Sequence, residues 1–271
     1  MNLAVFRKTA RETAPLLVIL TAAILAFETL FVIAVREFAE QIADVWQRIE
    51  LVRLIIQMLI GADRLADLTP TTLTIIGLAH PLLYALTWTL LLTTCTRVIA
   101  GEIDRGTADL LLTLPISRVA IYVAVSAVWL VCGVVLSLAP LVGIWVGRSL
   151  VPLTVPIELE PLWIPTVNLF ALYLAIGGAV LLISSLVSRR GKAVAIVLAG
   201  LLASFLLNFL AQFWSPAERM SFLGLLHYYR PLLCVQTGEW PLGDIAALVG
   251  IAACCWLAGL WWFARRDIPA A

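Results

Sequence analysis

Residues 119–146, VAIYVAVSAVWLVCGVVLSLAPLVGIWV, contain no Asp, Glu, Lys or Arg. A helix needs about 20 mostly apolar residues to cross a hydrocarbon core about 30 Å thick, so this run is long enough to span a membrane. Because lipid contains no water to hydrogen-bond the backbone N–H and C=O groups, the segment must satisfy them itself, and an α-helix is the expected structure. The whole chain agrees, since 62% of its 271 residues are hydrophobic and 13% are charged, with a mean hydropathy of +1.03. The sequence therefore predicts an all-α integral membrane protein.

Five further apolar runs are long enough to span the bilayer. Together they predict six transmembrane helices, at 15–35, 73–99, 119–146, 164–187, 193–214 and 245–264. An even number of spans places both termini on the same side. A secretory leader in place of the first span is disfavoured, because its apolar run is too long and lacks a small-x-small cleavage site.

The distribution of Lys and Arg predicts the orientation of the spans, because cytoplasmic segments near span ends are enriched in both. Eleven of the eighteen basic residues lie on the side that carries both termini: Arg7, Lys8, Arg11, Arg97, Arg105, Arg118, Arg189, Arg190, Lys192, Arg265 and Arg266. The other seven are mixed with eleven acidic residues on the opposite side. We therefore expect both termini in the cytoplasm.

Three segments outside the spans have patterns of their own. Residues 1–13 mix apolar and basic side chains, which is typical of a helix lying on the cytoplasmic membrane surface. Residues 37–59 place apolar side chains at helical spacing and predict an amphipathic helix on the outer side. Residues 215–243 are too apolar for a plain loop and too interrupted by proline to span, so we expect short re-entrant or interfacial helices before the last span.

Residues 101–118, GEIDRGTADLLLTLPISR, interrupt the apolar sequence between the second and third spans. Gly101 and Gly106 permit a tight change of direction, and Thr107 can cap a short helix that Pro115 ends. The leucines of this helix are too many for water and its acids too polar for lipid. A protein partner would accommodate both. The alternative is a turn at the membrane surface with its leucines in lipid.

From Glu102 to Arg118, the pattern E-x-x-x-G-T-x-x-L-L-L-x-x-P-I-S-R resembles the loop after the second span of type-2 ABC transporter permeases. The basic start, the six spans, HYYRP at 227–231 and FARRDIP at 263–269 extend the resemblance over nearly the whole chain. It implies that 101–118 is a coupling helix that docks on a separate ATPase. The contact residues it implies are Glu102, Asp104, Arg105, Gly106, Thr107, Leu111, Pro115 and Arg118.

The resemblance also implies the partners and the location. We expect two ATPase subunits, which bind ATP and Mg, and a second permease copy that is identical or related. An accessory protein on the outer side is a partner that the sequence leaves open. The membrane is expected to be the prokaryotic plasma (inner) membrane. The expected function is export by alternating access, with support of copper-enzyme maturation as an alternative within the family.

The chain itself shows no pattern for catalysis, nucleotides or metals. G-x-x-x-x-G-K-[ST], H-E-x-x-H and G-x-S-x-G are all absent, and no two of the five cysteines form C-x-x-C, so we expect no enzyme activity, no cofactor and no metal site. A net charge of +1 gives no reason to expect nucleic acid. A six-span structural or sensory protein without transport is the alternative from a different class.

A few polar residues within the spans are candidates for a substrate path. Glu28 and His80 fall at similar depths near the outer ends of spans one and two, so a contact between them is geometrically allowed. Asn168 and Asn208, with Gln212, lie near the outer ends of spans four and five. These residues predict a polar site at the outer end of the cavity. Hydrogen bonding between helices is the alternative role.

Overall fold

The computed structural model describes residues 2–48, 70–97, 99–104, 116–151 and 157–266. Residues 49–69, which include 49–59 of the expected outer amphipathic helix, lie outside the described residues. The same holds for 105–115 of the expected coupling helix, which include five of its implied contact residues: Arg105, Gly106, Thr107, Leu111 and Pro115.

The described residues form helices, with no strand among them. The α-helices are α1 Leu3–Arg48, α2 Pro70–Leu78, α3 Pro81–Arg97, α4 Ala100–Asp104, α5 Arg118–Leu150, α6 Trp163–Leu186, α7 Arg190–Leu210, α8 Ser215–Met220, α9 Pro231–Thr237 and α10 Leu242–Arg265. Two short 3₁₀ helices, Ser221–Leu223 and Leu225–Tyr228, connect α8 to α9.

Six stretches of these helices are long and apolar enough to cross a membrane, so the predicted number of spans is confirmed. They are Leu3–Val35, Leu73–Arg97, Arg118–Leu150, Trp163–Leu186, Arg190–Leu210 and Leu242–Arg265. The chain is therefore a multi-pass membrane protein of the all-α class. The predicted boundaries of the fifth span were shifted, since α7 begins at Arg190 and ends at Leu210.

The first helix is longer than the sequence predicts. Helix α1 continues from Leu3 through Pro15 and beyond Val35 to Arg48. The expected surface helix at 1–13 is therefore not a separate element, and the start of the expected outer helix is a continuation of the first span. The residues at both predicted junctions include Arg, Glu and Ala, which favour helix, and neither junction contains a glycine that would end it.

The second span is broken. Helix α2 ends at Leu78 and α3 begins at Pro81, with Ala79 and His80 between them. Proline has no N–H to donate and disfavours helical backbone in the residue before it, which accounts for the break. The His80 imidazole caps α3, because its Nδ1 accepts the Leu82 N–H at 3.2 Å. Pro140, in contrast, lies inside an uninterrupted α5.

Helix α6 lies at the centre of the bundle and packs most extensively against α10, while α1 packs most extensively against α5. The α1–α5 contact depends on two glycines. A Cβ on Gly143 would lie 2.8 Å from Glu28 Cβ, and one on Gly147 would lie 2.8 Å from Val32 Cβ. In addition, the Thr29 hydroxyl donates to the Gly143 carbonyl at 3.1 Å. The G-x-x-x-G pattern of α5 thus forms a close contact within the chain.

The segment before the last span folds into short helices, as the prolines predict. Pro216 and Pro231 lie in the first turns of α8 and α9, where a missing N–H leaves no bond unmade. Gly238 ends α9 in the left-handed conformation, at a φ of 66°. Leu232 and Cys234 of α9 are buried in protein, and α9 packs against α2 and α6.

Candidate functional sites at the two ends of the bundle

The first candidate site lies where α1 begins and α10 ends. There, residues on both sides of 105–115 bind to other helices of the bundle. We call these contacts the anchor network, and its members are Lys8, Glu12, Thr96, Arg97, Ala100, Glu102, Asp104, Arg118, Ser184, Arg190 and Arg266.

Two ion pairs connect this network to α1. The Lys8 ammonium lies 3.5 Å from the Glu102 carboxylate, and Glu102 is only 9% exposed. The Arg97 Nε lies 3.4 Å from the Glu12 carboxylate, and Arg97 Nη1 donates to the Glu12 carbonyl at 3.3 Å. Since Lys8 is half exposed, such a pair stabilises the fold by about 1 kcal/mol at most. The main effect of the Lys8–Glu102 pair is to fix the position of α4 relative to α1.

Helix α4 is also bonded to α6 and α7, and Arg190 of α7 is bonded in turn to α3. Asp104 Oδ2 accepts the Arg190 N–H at 3.3 Å, which places a carboxylate at the positive end of the α7 dipole. The Arg190 side chain donates from Nε to the Thr96 hydroxyl at 3.2 Å. The Ala100 N–H donates to the Ser184 hydroxyl, also at 3.2 Å. A five-residue helix is therefore bonded to two spans besides α1.

The residues that follow 105–115 in the chain are bonded to the end of α10. Arg118 donates to the Arg266 carbonyl, and Arg266 donates from Nη1 to the Ser185 carbonyl at 2.8 Å. The Ser117 hydroxyl caps α5 by accepting the Ala120 N–H at 3.2 Å. Glu102, Asp104 and Arg118, which the resemblance implied as partner contacts, thus make contacts within the chain. A displacement of 105–115 would reach α1, α7 and α10 through them.

The second candidate site is a cavity of about 380 Å³ at the opposite end of the bundle. We call it the outer vestibule, after the side on which the sequence predicts this end of the bundle to lie. Its walls come from α3, α7, α8 and the 3₁₀ segment, and its lining residues are Tyr84, Asn208, Ala211, Gln212, Glu218, Ser221, Leu226, His227, Tyr229 and Arg230. Most of these side chains are polar, in a chain whose composition is strongly apolar.

The charged wall of the outer vestibule is formed by Glu218 and Arg230, with His227 beside them. The Arg230 Nε donates to the His227 carbonyl at 2.9 Å, and its Nη2 lies 2.9 Å from the His227 ring nitrogen Nε2. Burial lowers the pKa of His227, and the Arg230 cation lowers it further, while Asp244 opposes the shift. A neutral imidazole that accepts a hydrogen bond from Arg230 is the result.

Two tyrosines form the floor of the outer vestibule. The rings of Tyr84 and Tyr229 meet edge to face, with centroids 6.2 Å apart. Burial, then Tyr84 and then the Glu28 carboxyl, raise the pKa of Tyr229 well above its ordinary value. The phenol is therefore neutral, and it donates to the Leu78 carbonyl at 3.2 Å. This bond satisfies a carbonyl at the α2–α3 break.

Below Tyr84, the space between α3 and α6 is closed. A cavity of about 10 Å³ lies among eight apolar, aromatic and threonine side chains: Tyr84, Thr87, Trp88, Leu91, Leu169, Leu172, Tyr173 and Ile176. This volume is too small and too apolar to hold a water molecule stably. The outer vestibule therefore ends at an aromatic constriction.

The structure brings together only part of the predicted polar site. Asn208 and Gln212 line the outer vestibule, whereas Glu28, His80 and Asn168 are not among its lining residues. Asn168 is buried and donates to the Tyr228 carbonyl at 3.0 Å. The His80 ring lies 5.0 Å from that of Phe27, and neither Glu28 oxygen has a hydrogen-bond partner among the described residues. The allowed Glu28–His80 contact is thus not a hydrogen bond.

Sequence reasoning missed the contribution of Tyr84, His227, Tyr229 and Arg230 to the outer vestibule. A signal for three of them was present, because HYYRP at 227–231 is a polar and aromatic stretch within a proline-interrupted apolar segment. Tyr84 gave no signal, since one tyrosine in an apolar span is ordinary. Its position was decided by the break at Pro81.

No protein-family model matches this chain, and neither the curated proteins nor the solved structures contain a match.

Proposed function

We propose that this chain is the transmembrane permease subunit of an ATP-driven ABC transporter that works as an exporter. The anchor network is the observation that carries the proposal. Six spans alone fit many membrane proteins, but a segment whose flanking residues are bonded to α1, α6, α7 and α10 is suited to receive force from outside the bundle. The sequence resemblance of 101–118 supplies the identity of the force-producing partner, an ABC ATPase.

In this mechanism, the partner ATPases bind ATP and Mg and close on each other. The movement reaches 105–115, and α4 transmits it to α1 through Glu102 and to α7 through Asp104. Because closely packed helices deform little, the spans move as rigid bodies rather than bending. The closed space between α3 and α6, below Tyr84, is where we expect the path to open.

The outer vestibule is the proposed exit for the substrate. Its lining offers a carboxylate, a guanidinium and two amides, above a floor of two tyrosine rings. Such a site suits an amphipathic substrate with a polar group and an apolar body. Both termini lie in the cytoplasm in this proposal, and the membrane is the prokaryotic plasma membrane, as the basic residues around the anchor network favour.

Co-purification tests the proposal. The chain, tagged and embedded in lipid nanodiscs, is expressed with candidate ABC ATPases, and the retained ATPase is measured. We expect Leu111→Asp to abolish retention, since it places a charge on the apolar face implied to bind the ATPase. Arg11→Glu is the matched control, because it changes an exposed residue on the same side of the membrane, and it should retain the ATPase.

Substrate-stimulated ATP hydrolysis by the purified complex then separates a transporter from a structural or sensory protein. If a folded wild-type sample retains no ATPase from any candidate, or retains it equally well with Leu111→Asp, the proposed docking site is wrong.

A further inference from the structure

The most isolated polar group among the described residues is the carboxyl of Glu28. Glu28 is 0% exposed, deep in α1. Neither of its oxygens has a hydrogen-bond partner among the described residues. The transport mechanism proposed above makes no use of it. Ionisable groups are costly at such depth in a membrane, so a retained carboxyl without a partner points to a function.

Glycines on two neighbouring helices make the space for this carboxyl. A Cβ on Gly77 of α2 would lie 2.5 Å from Glu28 Oε2, and one on Gly143 of α5 would lie 2.8 Å from Glu28 Cβ. Any other residue at either position would press on the glutamate. The side chain thus fills a closed site between α1, α2 and α5.

The groups around this site do not stabilise a negative charge. From α5 it is faced by Gly143, and from α2 by Gly77, with Thr74 buried on the same short helix. Among titratable groups, Tyr229 interacts electrostatically with Glu28, and also with Tyr84 and Cys234. The His80 ring contacts Phe27 of α1. Glu28 forms no ion pair with a described Lys or Arg. A buried carboxylate without such a partner takes up a proton instead.

The chemistry of the surrounding residues also argues against a metal ion. The described residues contain no cluster of three or more His, Cys, Asp or Glu side chains that could hold one. One carboxyl packed against glycines offers too few ligands for a divalent cation. A proton needs one oxygen only.

We propose that Glu28 is a proton-binding site that controls the contact between α1, α2 and α5. In the described conformation, the carboxyl is a neutral acid that holds its proton. When α1 moves away, the O–H bond breaks, the proton passes to water, and the remaining carboxylate keeps the helices apart until it is protonated again. No electron is transferred and no co-reactant other than water is needed.

The α2–α3 break places the site next to the outer vestibule. Gly77, which touches the Glu28 carboxyl, is followed by Leu78, whose carbonyl accepts the Tyr229 hydroxyl at 3.2 Å. Tyr229 in turn lines the outer vestibule. We therefore expect the proton to exchange with water on the outer side, past Tyr229. The contact of α1 with α2 and α5 would then respond to the pH on that side.

Infrared difference spectroscopy of the full chain in lipid nanodiscs tests this proposal without an ATPase. The wild type at neutral pH should show the carbonyl stretch of a protonated carboxylic acid. The band should be lost in Glu28→Gln, and also in Glu28→Ala, which serves if the amide variant does not fold. It should persist in Glu37→Gln, the matched control, because Glu37 is exposed on the same helix.

Exchange into D2O tests how well the Glu28 carboxyl is shielded from water. The band should shift slowly in the wild type and faster in Gly143→Ala, which loosens the α1–α5 contact. Absence of the band from the wild type, its persistence in Glu28→Gln, or equal exchange rates in the two proteins would overturn the proposal. Because no readout involves ATP, such a failure leaves the transporter proposal standing, and loss of the ATPase partner leaves this one standing.

Discussion

Replacement of Gly143 by alanine tests whether the α1–α5 contact is as close as the structure has it. The added Cβ would lie 2.8 Å from Glu28 Cβ and 3.0 Å from the Leu25 carbonyl oxygen. The second neighbour is backbone, so it cannot rotate away, and the helices must separate. Overpacking of this kind costs about 1–3 kcal/mol, and the better helix propensity of alanine offsets about 1 kcal/mol. We expect a net destabilisation of up to about 2 kcal/mol.

Gly200→Ala is the matched control for this prediction. Gly200 lies in the apolar helix α7, and a Cβ there would meet nothing within 4 Å. The control should therefore be neutral or slightly stabilising, by up to about 1 kcal/mol. The assay is unfolding of both variants in mixed micelles with increasing SDS, followed by loss of helical circular dichroism. Equal midpoints for Gly143→Ala and Gly200→Ala would refute the close contact, and with it the closed site around Glu28.

Two further predictions concern the ends of the bundle. Asp104→Asn removes the negative charge from the start of α7, where Oδ2 accepts the Arg190 N–H. We therefore expect a loss of about 0.3–1 kcal/mol of stability in the same SDS assay. Asp104→Glu should retain part of this stability, and an unchanged midpoint for Asp104→Asn would show that the contact does not stabilise α7. The pKa of His227 is lowered by burial and by Arg230, so below about pH 6.5 the unfolded chain binds a proton that the folded chain does not, and stability should fall on acidification through that range. His227→Gln should abolish this part of the pH dependence in thermal unfolding, and a profile identical to that of the wild type would contradict the assignment.

Several features of the fold could be predicted from the sequence because they depend on local properties of the chain. The six spans follow from run length and apolarity, which need no knowledge of neighbours. The short helices before α10 follow from Pro216 and Pro231, since proline fixes φ and is favoured in the first turn of a helix. The limits of α1 could not be predicted in this way. Whether a helix stops at a span boundary depends on what its ends pack against, and the Arg, Glu and Ala residues at the two predicted junctions are compatible with continuation.

The candidate sites required the tertiary structure for a different reason. Glu102, Asp104 and Arg118 could be singled out in the sequence, but their partners Lys8, Arg190 and Arg266 are far away in the chain. Polar contacts between distant segments are set by how helices pack, and no local pattern encodes them. The same reason explains why Asn208 joined the outer vestibule while Asn168, predicted beside it, turned to the Tyr228 carbonyl instead.

By itself, the sequence determined that this chain is a helical, multi-pass membrane protein with a polar interruption at 101–118. Hydrophobic partition and backbone hydrogen bonding act on each segment separately, so composition was sufficient for that much. The tertiary structure decided that Glu28 is sealed between Gly77 and Gly143, that α2 and α3 are broken beside it, and that Tyr229 closes the break. These features depend on the close approach of α1, α2 and α5 at glycine positions, and this approach is determined by how the helices pack.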